Sequence, residues 1–112
     1  MSKYGNRKTT VNGITFDSKA EAARYQELRL LEQAGAISGL TLQPKWQLLP
    51  SFKHDGKTER AISYIADFKY MDEDGQWVVE DVKGTRTEAY KIKRKLFLSK
   101  YGHSYDFREV AA

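Results

Sequence analysis

The sequence predicts a mixed α/β (α+β) domain in the order α-β-β-β-α-β, preceded by an N-terminal β-hairpin. Three observations predict it. Two segments, 18–35 and 87–102, combine helical spacing with cap residues at both ends. Between them lie runs that alternate in polarity or are rich in β-branched and aromatic residues. One more alternating run follows the second helix, and a strand reached through a helix is placed parallel to its predecessor by a right-handed crossover. The sheet is therefore expected to be mixed, central, and flanked by the helices.

In order along the chain, Asn12-Gly13 between Thr9-Thr10-Val11 and Ile14-Thr15-Phe16 signals a hairpin with a type I′ turn. Ser18-Lys19-Ala20-Glu21 matches the capping-box pattern, and Ala22, Tyr25, Leu28, Leu31 and Ala34 carry the helical spacing to a stop at Gly35. Leu40 to Leu49 reads as a strand in which Pro44 favours an edge or a bulge, ending at Pro50. After the turn residues His54-Asp55-Gly56-Lys57, Ala61 to Tyr70 reads as a central strand. Asp72 to Gly75 turns the chain, Gln76 to Lys83 pairs back as a third strand, and Gly84 closes it. The second helix runs from the N-cap Thr87 to Tyr101, with Tyr90, Ile92, Leu96, Phe97 and Tyr101 as its apolar side and Gly102 as its end. Ser104 to Val110 is the last strand.

A length of 112 residues suits one domain, here 1–112, with 1–8 expected to be a flexible basic arm. No run approaches a membrane span, and the first residues lack the apolar stretch of a signal peptide, so a cytoplasmic protein without membrane partners is expected. With no cysteine, disulfides, thiolate zinc sites and cysteine nucleophiles are excluded; two histidines, His54 and His103, leave little for a histidine-rich metal site. The net charge of +4 is modest, but its distribution is uneven. Lys83, Arg86, Lys91, Lys93, Arg94, Lys95 and Lys100 face only Glu88 between 83 and 100, and Lys3, Arg7 and Lys8 open the chain. Clustering of this kind suits a phosphate backbone; it also suits a solvated helix face in a basic protein.

The chemistry concentrates on the second and third strands of the meander. Asp81 and Lys83 are two residues apart, so a strand places both on one face beside its end at Gly84. Asp67 and Asp81 are equally distant from residue 74, so a hairpin centred there sets them nearly opposite one another. Two carboxylates so placed repel unless a cation or a proton intervenes, and Mg²⁺ commonly takes one or two carboxylates. The alternative is that one aspartate faces solvent or pairs with Lys83 or Lys69. Glu80 points to the opposite face from Asp81 and reads as structural or surface. Glu21 has the competing role of returning to the Ser18 amide in the capping box.

With these residues in place, the chain resembles the PD-(D/E)XK nuclease superfamily, whose core is restriction-endonuclease-like. The segments Lys3-Tyr4-Gly5-Asn6, Phe16-Asp17-Ser18-Lys19-Ala20-Glu21-Ala22 and Val79-Glu80-Asp81-Val82-Lys83-Gly84 are also similar to a phage and prophage family of unknown function. The resemblance implies that Asp67 and Asp81 bind Mg²⁺ or Mn²⁺, joined by Glu21 and the backbone carbonyl of Val82. It implies that Lys83 orients the attacking water and stabilises charge at the phosphate, and that Glu21 is the first-helix acid used by related resolvases. Ala66 stands where the motif has proline. The implied activity is metal-dependent endonucleolytic hydrolysis of DNA, with branched DNA or Holliday junctions as substrate, a homodimer as the acting form, and a bacterial host cell as the setting. Thr85, Arg86, Lys91, Arg94, Lys95, Lys3, Arg7 and Lys8 are the expected DNA contacts, with Lys93 on another side of its helix. Gln43 is a further candidate for the site, whereas the helical spacing of Tyr90 and Tyr101 favours core packing over base stacking. A non-catalytic DNA-binding module with the same fold is the alternative.

Overall fold

The computed structural model describes residues 8–112. Lys3 and Arg7, two of the expected DNA contacts, and residues 1–7 of the expected arm lie outside the described residues; Lys8 is exposed.

The chain is a mixed α+β structure with two helices and a mixed sheet. Strands β1 (Thr9–Val11) and β2 (Ile14–Phe16) form the expected hairpin. Both turn residues have positive φ, 51° at Asn12 and 78° at Gly13, as a type I′ turn requires. Helix α1 (Lys19–Gln33) starts from Ser18, whose Oγ accepts a hydrogen bond from the Glu21 N–H at 3.1 Å. The Glu21 side chain makes no return bond to the Ser18 amide, so only half of the capping box is formed.

The expected strand 40–49 is two strands, β3 (Ser38–Leu42) and β4 (Lys45–Leu49), interrupted at Gln43-Pro44. The expected central strand 61–70 is likewise β7 (Ile62–Ile65) and β8 (Phe68–Met71), interrupted at Ala66-Asp67. The two interruptions face each other. Gln43 N–H donates to the Asp67 carbonyl at 2.9 Å, and Ala66 N–H to the Pro44 carbonyl at 3.1 Å. Gln43 takes a left-handed φ of 49°, which a continuing strand would not tolerate. Below the break β3 pairs with β8; above it β4 pairs with β7 and leaves the sheet as a ribbon. The ribbon continues into β5 (Phe52–His54) and β6 (Lys57–Glu59), a hairpin where the sequence showed only a turn.

Strand β9 (Trp77–Lys83) returns along β8, and after α2 (Glu88–Tyr101) strand β10 (Asp106–Ala111) lies parallel to β9. The main sheet has the order β10-β9-β8-β3. Alternation along β9 divides its side chains between two cores. Val78 joins Phe16, Tyr25, Leu28, Phe68 and Tyr70 on the α1 side; Val79 joins Tyr64, Ala66 and Phe97 on the α2 side. On α1, Glu21, Ala22, Tyr25 and Leu28 are buried, whereas Leu31 and Ala34, expected to continue the stripe, are exposed.

On α2 the inward face is set by Tyr90, Arg94, Phe97 and Tyr101, while Ile92 and Leu96, expected on the apolar side, are exposed. Arg94 takes the inward place because an acid waits there: its Nε lies 3.6 Å from Glu109 and its guanidinium 5.5 Å from the Phe107 ring. Phe97 is fully buried, 4.8 Å from Trp46 and 4.9 Å from Tyr64 between ring centres. Tyr101 packs at 5.6 Å from Phe97 and donates its hydroxyl to the Gln47 carbonyl, a core role. No helix among the described residues is long and apolar enough to cross a membrane.

Candidate functional site

Three carboxyl groups and one ammonium meet where the ribbon leaves the sheet. The β8–β9 ladder pairs Phe68 with Glu80, so the next position sets Asp67 against Asp81 as the hairpin symmetry predicts. Because Asp67 sits at the break, its N–H serves both the Glu80 carbonyl at 3.1 Å and the Asp81 Oδ1 at 3.2 Å. In return the Asp67 Oδ2 accepts from the Val82 N–H at 2.7 Å. Val82 thus enters the site through its N–H. Lys83 Nζ lies 3.9 Å from Asp81 Oδ1, on the shared face that the two-residue spacing predicts. Lys69 is engaged elsewhere, 5.0 Å above the Trp77 ring.

Asp81 is fully buried, and its Oδ2 has no hydrogen-bond partner. An unpaired buried acceptor is costly, and an ionised one more so. Burial accordingly pushes the Asp81 carboxyl up to about 6, with Glu109 adding to the rise and Lys83 and the Asp67 N–H opposing it. Glu21, 7% exposed on the first turn of α1, is pushed up to about 7 by burial, then by the negative charges of Asp67 and Asp17. The two carboxyls influence each other in opposite senses: Asp67 raises the proton affinity of Glu21, and Glu21 lowers that of Asp67. Burial still leaves Asp67 above the usual carboxylate range, against the Val82 N–H and Lys83. Leu42 at the end of β3 and Gln43 at the break close this corner, and with Glu21, Asp67 and the β2 hairpin strand they line a cavity of about 180 Å³.

Glu80, one residue from Asp81, faces the other way and is structural. It is fully buried and receives Arg24 of α1 in a bidentate pair at 2.8 and 2.7 Å, along with the Tyr70 hydroxyl. This fork fixes α1, and hence Glu21, against β9. Burial and the Glu80 hydrogen bond push the Tyr70 phenol up to about 12.

Glu109 is the site neighbour that sequence reasoning missed. The parallel register sets it beside Asp81 on β10, where it accepts from Arg86 at 2.7 Å and from the Tyr90 hydroxyl at 2.6 Å. The Tyr90 ring in turn supports Lys83, whose Nζ lies 4.6 Å from the ring centre. Of the expected DNA contacts, Arg86 and Arg94 are therefore committed to Glu109, and Lys91 lies 3.4 Å from Glu88. Thr85 and Lys95 are exposed. Lys93 lines a groove of about 270 Å³ with Ser63, Tyr64, Ile65, Thr87, Ala89 and Tyr90.

Asp67, Asp81 and Glu21 bring oxygen donors of the kind hard divalent cations take. Among the described residues, no group of three or more His, Cys, Asp or Glu is already arranged to hold a metal ion. The unpartnered Asp81 Oδ2 is nevertheless an atom that a cation would satisfy.

Fold and site together define a small α+β protein with a buried acidic cluster at the open end of a mixed sheet. The chain belongs to the family described as "Protein of unknown function (DUF1064)", whose model matches residues 1–110. No curated protein and no solved structure matches it.

Proposed function

We propose that this protein is a metal-dependent endodeoxyribonuclease of the PD-(D/E)XK type, with a restriction-endonuclease-like core. The observation that carries the reading is the pairing of Asp67 with Asp81 across β8 and β9. Lys83 stands 3.9 Å from Asp81 on the same face, and the second Asp81 oxygen is left without a partner. Burial makes the carboxyls of fully buried Asp81 and half-buried Asp67 costly to ionise, which weakens the fold at neutral pH and which a purely structural role does not explain.

Asp67 and Asp81 would hold Mg²⁺ or Mn²⁺, which needs only one or two carboxylates because waters and phosphate oxygens complete its shell. When bound, the ion would supply Lewis-acid activation of water and neutralise charge gathering at phosphorus. Lys83 orients the attacking water and stabilises the charge developing on the phosphate oxygens. Tyr90, tied to Glu109, holds the Lys83 ammonium in place. Glu21, with its affinity for a proton raised to near neutrality, receives a proton from that water or holds the water in line. DNA is the substrate class, and branched DNA, cut by a homodimer, is the first form to try, by analogy with resolvases. The setting is the cytoplasm of a bacterial host, and the gene is of phage or prophage origin.

The test is incubation of the purified protein with supercoiled, linear and four-way-junction DNA in Mg²⁺, Mn²⁺ or EDTA. Metal-dependent cutting that Asp81→Ala abolishes is expected. Binding without cutting in any metal, or cutting by Asp81→Ala at the wild-type rate, would establish a non-catalytic DNA-binding module or a different centre.

A further inference from the structure

Strands β5 and β6 contact one another and no other described element. Every residue from 51 to 60 is exposed, Phe52 at 47%. A two-stranded hairpin standing alone in water is marginal, and an exposed aromatic at its base adds an apolar surface with no partner in the chain. Its cations are also free: among the described residues Lys53, Lys57 and Arg60 form no ion pair, whereas Arg86 and Arg94 near the site are held by Glu109. The register sets Lys53 across from Thr58 on one face, and Phe52 and His54 across from Glu59 and Lys57 on the other.

We infer that the β5–β6 ribbon enters the groove of a DNA duplex flanking the phosphate bound at the acidic site. The inference rests on the proposed function in taking DNA as the ligand. A major groove about 12 Å wide admits a two-stranded ribbon, and free lysine and arginine side chains on such a ribbon reach the phosphates on either side. The chain itself links site to tip. It runs from Asp67 along β7, past the groove of Ile65, Thr87 and Lys93, to the Asp55-Gly56 turn ten residues beyond Ala66. At about 3.3 Å per residue that is at most about 33 Å, close to one turn of duplex. The ribbon therefore contacts DNA up to one helical turn from the bond at the site.

The experiment uses the full chain and its Lys53→Ala/Lys57→Ala/Arg60→Ala variant, with a labelled 30-base-pair duplex in EDTA so that nothing is cut. Anisotropy is recorded from low to moderate salt, and light scattering gives the mass. The variant is expected to bind at least tenfold more weakly, and the slope of log affinity against log salt is expected to fall by about 2–3, one phosphate per cation removed. Equal affinity and slope overturn the inference. A wild-type dimer that the variant or Phe52→Ser converts to monomer with unchanged slope also overturns it, and makes the ribbon an interface between two copies. Ribbon-dependent binding without cleavage in Mg²⁺ would sink the nuclease reading and leave this inference standing. Cleavage with ribbon-independent binding would do the reverse. A wild type that binds no duplex overturns the inference, and the nuclease reading is then decided by cleavage of supercoiled and four-way-junction DNA.

Discussion

Asp67 and Asp81 hold each other through the backbone rather than through their charges: the Asp67 N–H donates to Asp81 Oδ1, and the Asp67 carboxylate bonds one residue past Asp81, to the Val82 N–H. The two carboxylates are thereby fixed side by side with little freedom to turn away. Burial raises the proton affinity of both carboxyls.

Asp81→Asn keeps an acceptor for the Asp67 N–H and removes the buried charge. The variant is expected to melt at a higher temperature than wild type at pH 7.5 without divalent ions. Its cleavage rate is expected to fall at least about 100-fold, as when a group stabilising transition-state charge is lost. Calorimetry and a plasmid-nicking assay on the same preparation check both halves; a lower melting temperature would show that the buried Asp81 charge does not destabilise the fold.

The pH dependence of metal-free stability follows from the same groups. Glu21 rises from 4.5 to about 7 and Asp81 from 3.8 to about 6 on folding. Their folded forms thus favour the proton. The associated stability is complete below the unfolded values, near pH 4, and is lost as pH climbs through 6 to 7. Urea midpoints in EDTA are expected to drop between pH 5 and pH 7.5. The Asp81 share is about 3 kcal/mol at most, and Asp81→Asn is expected to flatten the curve.

Removing Arg24 should cost more than its surface position suggests. Arg24→Ala strands the fully buried Glu80 with only Tyr70 for company, and about 3 kcal/mol or more of destabilisation is expected in urea denaturation. Adding Glu80→Gln to Arg24→Ala should recover part of that loss. No recovery would mean that α1 is held by apolar packing alone.

Tyr90 separates into a ring and a hydroxyl. Tyr90→Phe keeps the surface beneath Lys83 and loses the bond to Glu109, so kcat should fall only a few-fold. Tyr90→Leu loses the ring as well, and kcat should fall about tenfold or more with KM for DNA little changed. A rise in KM with kcat intact would instead make Tyr90 a binding residue.

The backbone of Gln43 can be probed separately from the site. Its φ of 49° is strained for any residue with a Cβ. Gln43→Gly should leave stability unchanged or raise it by about 1 kcal/mol, and Gln43→Val should lower it by about 1–2 kcal/mol.

What the sequence carries of this site follows from how each partner is connected. Asp67 faces Asp81 because a short hairpin ties the register of both strands to one turn, where Asp72 Oδ1 accepts from the Asp74 and Gln76 amides. Alternation then fixes Lys83 and excludes Glu80. Glu109 reaches Asp81 through a helical crossover whose length leaves register open, so its place was not legible. The exposure of Ile92 and Leu96 has the same origin: composition marks them as core, but the inward face of the helix carries Arg94, 3.6 Å from Glu109, in their place. Pro44 announced one strand break, whereas nothing in Ile65-Ala66-Asp67-Phe68 announced the other, which exists only because Gln43 and Pro44 lie opposite. The ribbon tip is polar on both faces, so no alternation marked it as strand.

The paired breaks have a consequence for how such a chain can vary. Two crossing hydrogen bonds, Gln43 to Asp67 and Ala66 to Pro44, clamp the base of the ribbon. The tip beyond Pro50 and Ala61 touches nothing below it. Residues can therefore be inserted or deleted around Asp55-Gly56 with the acidic corner kept in register, and relatives of this protein are free to carry ribbons of different reach on one unchanged base.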